Sequence, residues 1–365
     1  MLTVKYRKVF FLMTVIVFSV FVFGVQAYGL DLSAEAAVLL ESDSNTALYC
    51  KNDDKTMTMA STTKIMTALL ALENADLNSE IIVTKEMVSV EGTSMGLLPG
   101  DSVSVEELVY GMLLPSGNDA ANTIAHVVSG NIPEFAKLMN RKAAEIGMTG
   151  TNFVTPSGLD AENHYTTARD MALLGSYAIK NREFYTICST KSIRVSYGNP
   201  PYDRTLTNHN KLLSMYEDCI GIKTGFTKKS GRCLVSAAQR DGVTLIAVTL
   251  NAPNDWQDHK KMFDYGFSVT TRKKLDDSLN DISLAVTGGK KNKVNLKLSY
   301  EPHVTICETY NPSVVREIYL NKFEYAPIEQ GKIVGFAKYV ESETGKVIMT
   351  VPIETAESCP VRSSK

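Results

Sequence analysis

The sequence lacks the charge and the ligand spacings that several functional classes need. Over 365 residues the formal net charge is only −2, so no basic surface is indicated and we expect no nucleic-acid partner. None of the six cysteines stands at the Cys-x2-Cys spacing of a metal site, and the five histidines show no ligand spacing either, so we expect no metal. An even number of cysteines permits disulfides, but their scatter favours buried thiols and supports no connectivity.

The first 27 residues have the features of a signal peptide. Three basic residues precede an apolar run at residues 9–23, and Val25-Gln26-Ala27 offers small residues at the −3 and −1 positions of a cleavage site. We expect cleavage after Ala27 and export of the rest, whose net charge would be −5. The apolar stretch also approaches the ~20 residues that span a bilayer, so the alternative is an uncleaved membrane anchor.

Apolar spacing divides the remaining chain into two regions. Helical spacing is indicated at residues 61–73, 105–114, 120–128, 132–146 and 168–179. Buried strands are indicated at residues 36–40, 219–224, 233–237 and 244–250. Beyond about residue 278, alternating residues and glycine turns indicate a small all-β module. We predict an α+β fold, a helical cluster packed on an antiparallel sheet (residues 28–272), followed by a C-terminal all-β domain (residues 273–365) after a linker at 272–280.

Three short motifs follow one another: Ser61-x-x-Lys64, Ser116-Gly117-Asn118 and Lys223-Thr224-Gly225. Singly they could be a helix cap, a turn and a solvated strand end. On a helix, however, residues i and i+3 share one face, so the Lys64 amine can reach the Ser61 hydroxyl. A serine needs such a base to become a nucleophile. Lysine can serve only if burial and a neighbouring positive charge lower its pKa from ~10.4, and Lys223 would supply that charge if its strand lies beside the helix.

In this order the motifs resemble those of the penicillin-recognising serine acyltransferases. Their surroundings, at residues 60–68, 115–121 and 221–227, resemble the low-molecular-weight D-alanyl-D-alanine carboxypeptidases of that group. The resemblance runs from about residue 36 to 252 and more faintly into the β module. It implies a hydrolase that removes D-alanine from peptidoglycan stem pentapeptides, that β-lactam antibiotics acylate, and that needs no metal or organic cofactor.

The resemblance also implies catalytic roles, residue by residue. Ser61 would attack the carbonyl between two D-alanines and form an acyl-enzyme, and Lys64 would accept its proton. Ser116 would relay a proton to the departing amine. The main-chain N–H groups of Ser61 and Phe226 would form the oxyanion hole, which is usually a large catalytic contribution.

Substrate-binding roles are implied for the remaining motif residues. Asn118 would hydrogen-bond the substrate backbone and order Lys64. Lys223 and Thr224 would bind the terminal carboxylate, and Gly225 would let the substrate lie close to the strand. His209 lies where some relatives place an arginine near that carboxylate.

Two departures from the family and several alternatives accompany this interpretation. Residues 219–221 read Cys-Ile-Gly where many relatives have Val-Asp-Gly, and the tail at 356–365 lacks the apolar stripe of a membrane-lying helix. Any membrane-surface association would therefore rest on the amino-terminal segment. A β-lactamase is disfavoured by the β module and by the absence of an evident Glu-x-x-Leu-Asn motif. A D,D-endopeptidase or transpeptidase stays open. Intact Ser61, Lys64 and Lys223 argue against a non-catalytic wall-binding or β-lactam-sensing module.

Overall fold

The computed structural model describes residues 30–275 and 278–362. The predicted signal peptide, residues 1–27, lies outside the described residues. Within them, helices packed on a five-stranded antiparallel sheet are followed by strands alone. This confirms the predicted α+β class.

Helices prevail up to residue 189 and strands thereafter. The described helices are α1 (Lys64–Asn74), α2 (Lys85–Val88), α3 (Val105–Leu113), α4 (Asn118–Ser129), α5 (Ile132–Ile146), α6 (Ala168–Ala178), α7 (Arg182–Ser189), α8 (Leu212–Met215) and α9 (Asp255–Val269). The described strands are β1 (Ala36–Glu41), β2 (Thr46–Lys51), β3 (Glu80–Ile82), β4 (Ser102–Ser104), β5 (Ser192–Gly198), β6 (Pro201–Thr207), β7 (Cys219–Thr227), β8 (Gly231–Arg240), β9 (Val243–Leu250), β10 (Thr270–Lys274), β11 (Ser283–Thr287), β12 (Lys293–Leu298), β13 (His303–Cys307), β14 (Val314–Leu320), β15 (Glu324–Tyr325), β16 (Ile333–Glu341) and β17 (Val347–Thr355).

The central sheet has the strand order β2-β1-β9-β8-β7 and is covered on both faces. Every residue of β9 is buried, as expected for a strand between two layers of helices. Leu245 and Ile246 are neighbours in β9 and therefore point to opposite faces. The first packs under Gly266 of α9 and the second against Gly175 of α6. The sheet is thus sandwiched, with β7 at one edge.

The segment that carries the first motif begins differently from the prediction. Residues 61–73 were expected to form one helix, but Ala60–Thr63 is a 3-10 turn and α1 begins at Lys64. The first eight residues of α1 are all buried, so this helix runs through the core. Residues three apart lie above one another in a 3-10 turn, which keeps Ser61 and Lys64 on one side.

The strands after residue 283 form a separate β structure. Six of them make a sheet in the order β14-β16-β17-β12-β11-β15, and its buried side chains, from Leu279 to Cys359, form a hydrophobic core of their own. The first core ends at Leu250. Part of the expected linker is a strand, since β10 pairs with β13 from Thr270 to Lys274. The two cores are therefore separate but bridged by this pairing.

We expect limited proteolysis to cut between Leu275 and Leu279, because the first core ends before this segment, the second begins at Leu279, and Ser278 is exposed. The fragment that ends near Leu275 keeps the whole first core and should unfold cooperatively by itself, which circular dichroism on heating would measure beside the intact chain. Preferred cutting elsewhere, or a fragment without a cooperative transition, would contradict the proposed division into two domains.

Candidate active site

Ser61 lies on a turn whose backbone is strained. The turn begins at Ala60, whose φ of 48° is rare for a residue with a Cβ atom. The main-chain N–H and the hydroxyl of Thr62 donate to Met59 O at 3.3 and 2.6 Å and hold the turn in this form. Strain of about 1–3 kcal/mol persists only where the surroundings impose it, and it clusters at functional positions.

Lys64 is fully buried, and its Nζ lies within hydrogen-bond distance of three oxygen atoms. It is 2.7 Å from Asn118 Oδ1, 2.6 Å from Ser157 O and 2.9 Å from Ser61 Oγ. The amide and main-chain oxygens can only accept, whereas the hydroxyl can also donate. A neutral amine has two N–H groups and one lone pair. The N–H groups therefore satisfy the two acceptors, and the lone pair faces the Ser61 hydroxyl, as a base must.

The surroundings of Lys64 hold its pKa well below the ordinary value. Burial is the largest cause, because the ammonium form loses its hydration. The positive charge of Lys223 acts in the same direction, and the carboxylate of Asp119 opposes both. The two conditions that the sequence analysis required of a lysine base, burial and a second positive charge, are both present.

The second motif is held against residues 91–93. Ser116 has a φ of 67°, and its carbonyl accepts from Thr93 Oγ1 at 2.5 Å. Asn118 N donates to Thr93 O at 2.7 Å, and Asn118 Nδ2 donates to Glu91 O at 2.7 Å. The last contact fixes the amide with its oxygen toward Lys64. The loop thus presents Ser116 at the cleft and uses Asn118 to orient the amine.

Asp119 follows the motif and was missed by the sequence analysis. Its buried carboxylate accepts from Met95 N at 2.9 Å, from Leu97 N at 3.1 Å and from Ser94 Oγ at 2.5 Å. These bonds tie residues 94–97 to the start of α4 and so support the neighbouring wall of the cleft. The available signal was its position immediately before the helix predicted at residues 120–128, since a carboxylate is favoured at the start of a helix.

The third motif lies on β7, at the edge of the sheet. Lys223 is buried, and its Nζ donates to Thr224 O at 3.1 Å. Burial lowers the pKa of Lys223 to about 7. Gly225 was expected to make room for substrate, and the structure gives a further reason for a glycine. A Cβ there would lie 3.1 Å from Met59 O and 3.1 Å from Ser61 N, closer than an ordinary contact, so a side chain would press the strand and the nucleophile's turn apart.

A cleft of about 590 Å³ brings the predicted residues together. It is lined by Ser61, Ser116, Asn118, Thr224, Gly225 and Phe226. Phe226 is 67% exposed. Lys64 and Lys223 are buried close by, so all the predicted site residues belong to one region of the molecule.

One side of the site comes from residues 156–158, which the sequence analysis did not select. Ser157 contributes its carbonyl oxygen to Lys64. Gly158 has a φ of 84°, and a Cβ there would lie only 1.9 Å from Ala60 O. A contact made by a main-chain carbonyl needs no particular side chain, so no pattern of residue types predicts it.

Two histidines lie near the site. His164 is buried, with Nε2 3.0 Å from Thr63 Oγ1, and its Nδ1 accepts from Val154 N at 2.9 Å. Burial lowers its pKa to about 4, so the neutral ring packs behind the turn of the nucleophile. His209 lines the cleft, and burial followed by the charge of Lys223 lowers its pKa from 6.5. Near pH 7 it is a neutral group, unlike the arginine that some relatives place there.

The cysteines and possible ligand clusters add no further chemistry. All six cysteines lie within the described residues and are free thiols there. Across residues 30–275 and 278–362, no group of three His, Cys, Asp or Glu side chains could hold a metal ion. Nor is any helix in these ranges long and apolar enough to cross a membrane.

Comparison with known proteins places these features in one family. The family model described as D-alanyl-D-alanine carboxypeptidase matches residues 23–254. A D-alanyl-D-alanine carboxypeptidase of Bacillus subtilis, DacF, is 32% identical over 89% of this chain and 85% of its own length. DacC of Escherichia coli, described in the same words, is 32% identical over 90% of this chain and 84% of its own.

Two solved structures are similar to this chain over nine-tenths of its length, and a third over about two thirds. The D-alanyl-D-alanine carboxypeptidase DacD from Francisella tularensis covers 92% of this chain and 95% of its own, with a TM-score of 0.65 and 26% identity. Penicillin binding protein 5 from Haemophilus influenzae covers 90% of this chain and 98% of its own, with a TM-score of 0.64 and 29% identity. The Streptomyces K15 DD-transpeptidase covers 65% of this chain and 98% of its own, with a TM-score of 0.63 and 32% identity.

Gly158→Ala tests the contact behind Ser61. The new Cβ would meet the carbonyl of Ala60, so we expect the turn to shift and the acylation rate of Ser61 to fall by about tenfold or more. Gly130→Ala is the matched control, since Gly130 also has a positive φ, 78°, but has open space around its Cβ position. It should cost only about 1–2 kcal/mol of stability. Intact-protein mass spectrometry and thermal unfolding measure both effects, and equal behaviour of the two variants would contradict the argument.

Proposed function

The chain belongs to the D-alanyl-D-alanine carboxypeptidase family, and on this basis we propose that it hydrolyses the terminal D-alanyl-D-alanine bond of peptidoglycan stem peptides through an acyl-enzyme on Ser61. The single observation that carries the proposal is the buried amine of Lys64, which lies 2.9 Å from Ser61 Oγ with its other contacts made to acceptors.

Acylation begins at the Ser61 hydroxyl. Lys64 takes its proton while Oγ bonds to the carbonyl carbon between the two D-alanines. The main-chain N–H groups of Ser61 and Phe226 receive the developing oxyanion, a role for which donors already fixed by the fold are effective. Support comes from the close approach of the chain at Ser61 to β7 at Gly225.

The bond to the leaving D-alanine then breaks. Its nitrogen gains the proton that Ser61 gave up, with Ser116 at the cleft wall as the relay. Asn118 holds the substrate backbone and keeps the amine of Lys64 in place. A water molecule finally hydrolyses the ester, Lys64 again acts as the base, and free Ser61 returns.

The terminal carboxylate of the substrate is bound by Lys223 and Thr224. A carboxylate beside Lys223 favours the charged ammonium form, which burial otherwise disfavours. A β-lactam antibiotic presents the same two features, a reactive amide carbonyl and a nearby carboxylate. It therefore acylates Ser61 in the same cleft.

A second candidate function uses the same acyl-enzyme but an amine in place of water. The observation that favours it is the likeness to the Streptomyces K15 protein, which is named a DD-transpeptidase. Acyl transfer and hydrolysis differ only in the acceptor that reaches the ester. The D,D-endopeptidase reaction differs in the amine that leaves.

Export is part of the proposal, because the substrate lies outside the cytoplasmic membrane. Support comes from the basic and apolar segments that precede Ala27. Cleavage there would give a secreted enzyme, and retention of the segment would hold it at the outer face of the membrane. Amino-terminal sequencing of the exported protein distinguishes the two, and a mature chain that starts elsewhere would refute the cleavage site.

Ser61→Ala tests the reaction. The variant should release no D-alanine from a D-alanyl-D-alanine peptide and should not be labelled by a fluorescent penicillin, because only the Ser61 hydroxyl can form the ester. Circular dichroism checks that it is folded. A wild-type chain that binds penicillin without releasing D-alanine would indicate the non-catalytic sensing module, and labelling of the variant would refute the assigned nucleophile.

Lys223→Met tests the electrostatic part of the mechanism. Loss of the positive charge removes one cause that lowers the pKa of Lys64, so that pKa should rise. The base would then stay protonated to a higher pH, and the acidic limb of kcat/KM against pH should move upward.

Thr224→Val is the control for this experiment, since it removes a carboxylate contact without changing a charge. It should weaken substrate binding and leave the acidic limb in place. If Lys223→Met also leaves the limb in place, then burial alone accounts for the low pKa of Lys64.

A further inference from the structure

A second cleft opens beside the active site, between the β5–β6 hairpin and α8. Its volume is about 500 Å³. Asn208 and Lys211 line both this cleft and the active-site cleft, so the two clefts adjoin at these residues. We call it the hairpin cleft. None of the roles proposed above uses it.

The walls of the hairpin cleft suit an anion. Lys191 and Lys211 both line it, no Asp or Glu does, and neither lysine forms an ion pair within residues 30–275 and 278–362. Hydroxyl groups surround them, from Ser192, Thr205, Thr207 and Ser214. The cleft therefore offers hydroxyl donors and positive charge together.

The position of the hairpin cleft relative to the reaction follows from Lys223. His209, between the two shared-wall residues in the chain, lines the active-site cleft together with Thr224, the residue that follows Lys223. Lys223 is where the terminal carboxylate of the leaving residue is bound. The hairpin cleft therefore adjoins the part of the active-site cleft that is assigned to the leaving residue.

We propose that the hairpin cleft binds the side chain of a leaving D-residue that carries a second carboxylate, so that the enzyme also releases amine components larger than D-alanine. The inference rests on the proposed acyl-enzyme function. The bonds are the same: Ser61 Oγ bonds to the D-alanyl carbonyl carbon, the C–N bond breaks, and the leaving amine gains the proton from Ser61. Water then hydrolyses the ester. With a cross-linked peptide as substrate, this reaction is endopeptidase cleavage.

The test uses peptides with one acyl part and different leaving residues. D-glutamate, D-2-aminoadipate and D-2-aminopimelate are each compared with their side-chain amides, and D-alanine is the reference. At low salt we expect a higher kcat/KM for each acid than for its amide. The difference should be largest for the peptide whose leaving residue has a side chain long enough to reach the two lysines. The preference should be roughly two- to fivefold for each lysine engaged, and it should disappear near 1 M salt.

Lys191→Ala provides the decisive variant, because Lys191 lines only the hairpin cleft. It should reduce the preference for the acid and leave D-alanine release unchanged, and adding Lys211→Ala should remove the preference. Lys229→Ala, at an exposed lysine in the turn after β7, is the control and should change neither rate.

Two results would overturn the proposal. One is an equal rate for every acid and its amide in the wild-type chain. The other is a preference that survives in the double variant. A failure of the underlying function has a different signature, since a wild-type chain that released no D-alanine would refute the acyl-enzyme reaction itself.

Discussion

The burial of one amine, that of Lys64, is the constraint on which the rest of the site depends. A buried ammonium ion is costly, so the group is held neutral, and a neutral amine still needs partners for its two N–H groups. Asn118 Oδ1 and Ser157 O meet that need and leave the lone pair for Ser61. The nucleophile is therefore activated by the same arrangement that makes the burial of a lysine tolerable.

This arrangement requires four distant stretches of chain to meet within a few ångströms, and the backbone conformation at several positions is strained or restricted as a result. Ala60 and Ser116 both adopt a positive φ. Gly158 and Gly225 stand where any Cβ would press on the main chain beside Ser61. Strain at two positions and the absence of a side chain at two others allow α1, the loop before α4, residues 157–158 and β7 to come together.

The residues that act through a side-chain functional group could be predicted from the sequence. The three-residue step from Ser61 to Lys64 is local and needs no tertiary information, so it could be predicted. Ser157 acts through its carbonyl, which every residue has. Helix α9 was not predicted, because its buried positions include polar residues. Asp258 accepts a hydrogen bond from Ser33 N at 3.0 Å, and the ring of His259 is hydrogen-bonded to Thr249. Its polar core contacts hide the apolar period on which helix prediction relies. The domain division at 272/273 stays a prediction, and the strand β10 crosses that point.

The two lysines have to be considered as a pair, because a bound substrate changes one of them. Free Lys223 carries part of a positive charge near neutral pH and disfavours a proton on Lys64. Once a carboxylate lies against Lys223, the two charges largely cancel at the distance of Lys64. Burial, already the largest cause of the low Lys64 pKa, must then keep the base neutral. The bound substrate increases the burial of Lys64 because it displaces water from the cleft. The repulsion between the lysines therefore lowers the pKa of Lys64 in the free enzyme, and the pH dependence of kcat/KM reports it. In the enzyme–substrate complex, burial alone keeps Lys64 neutral.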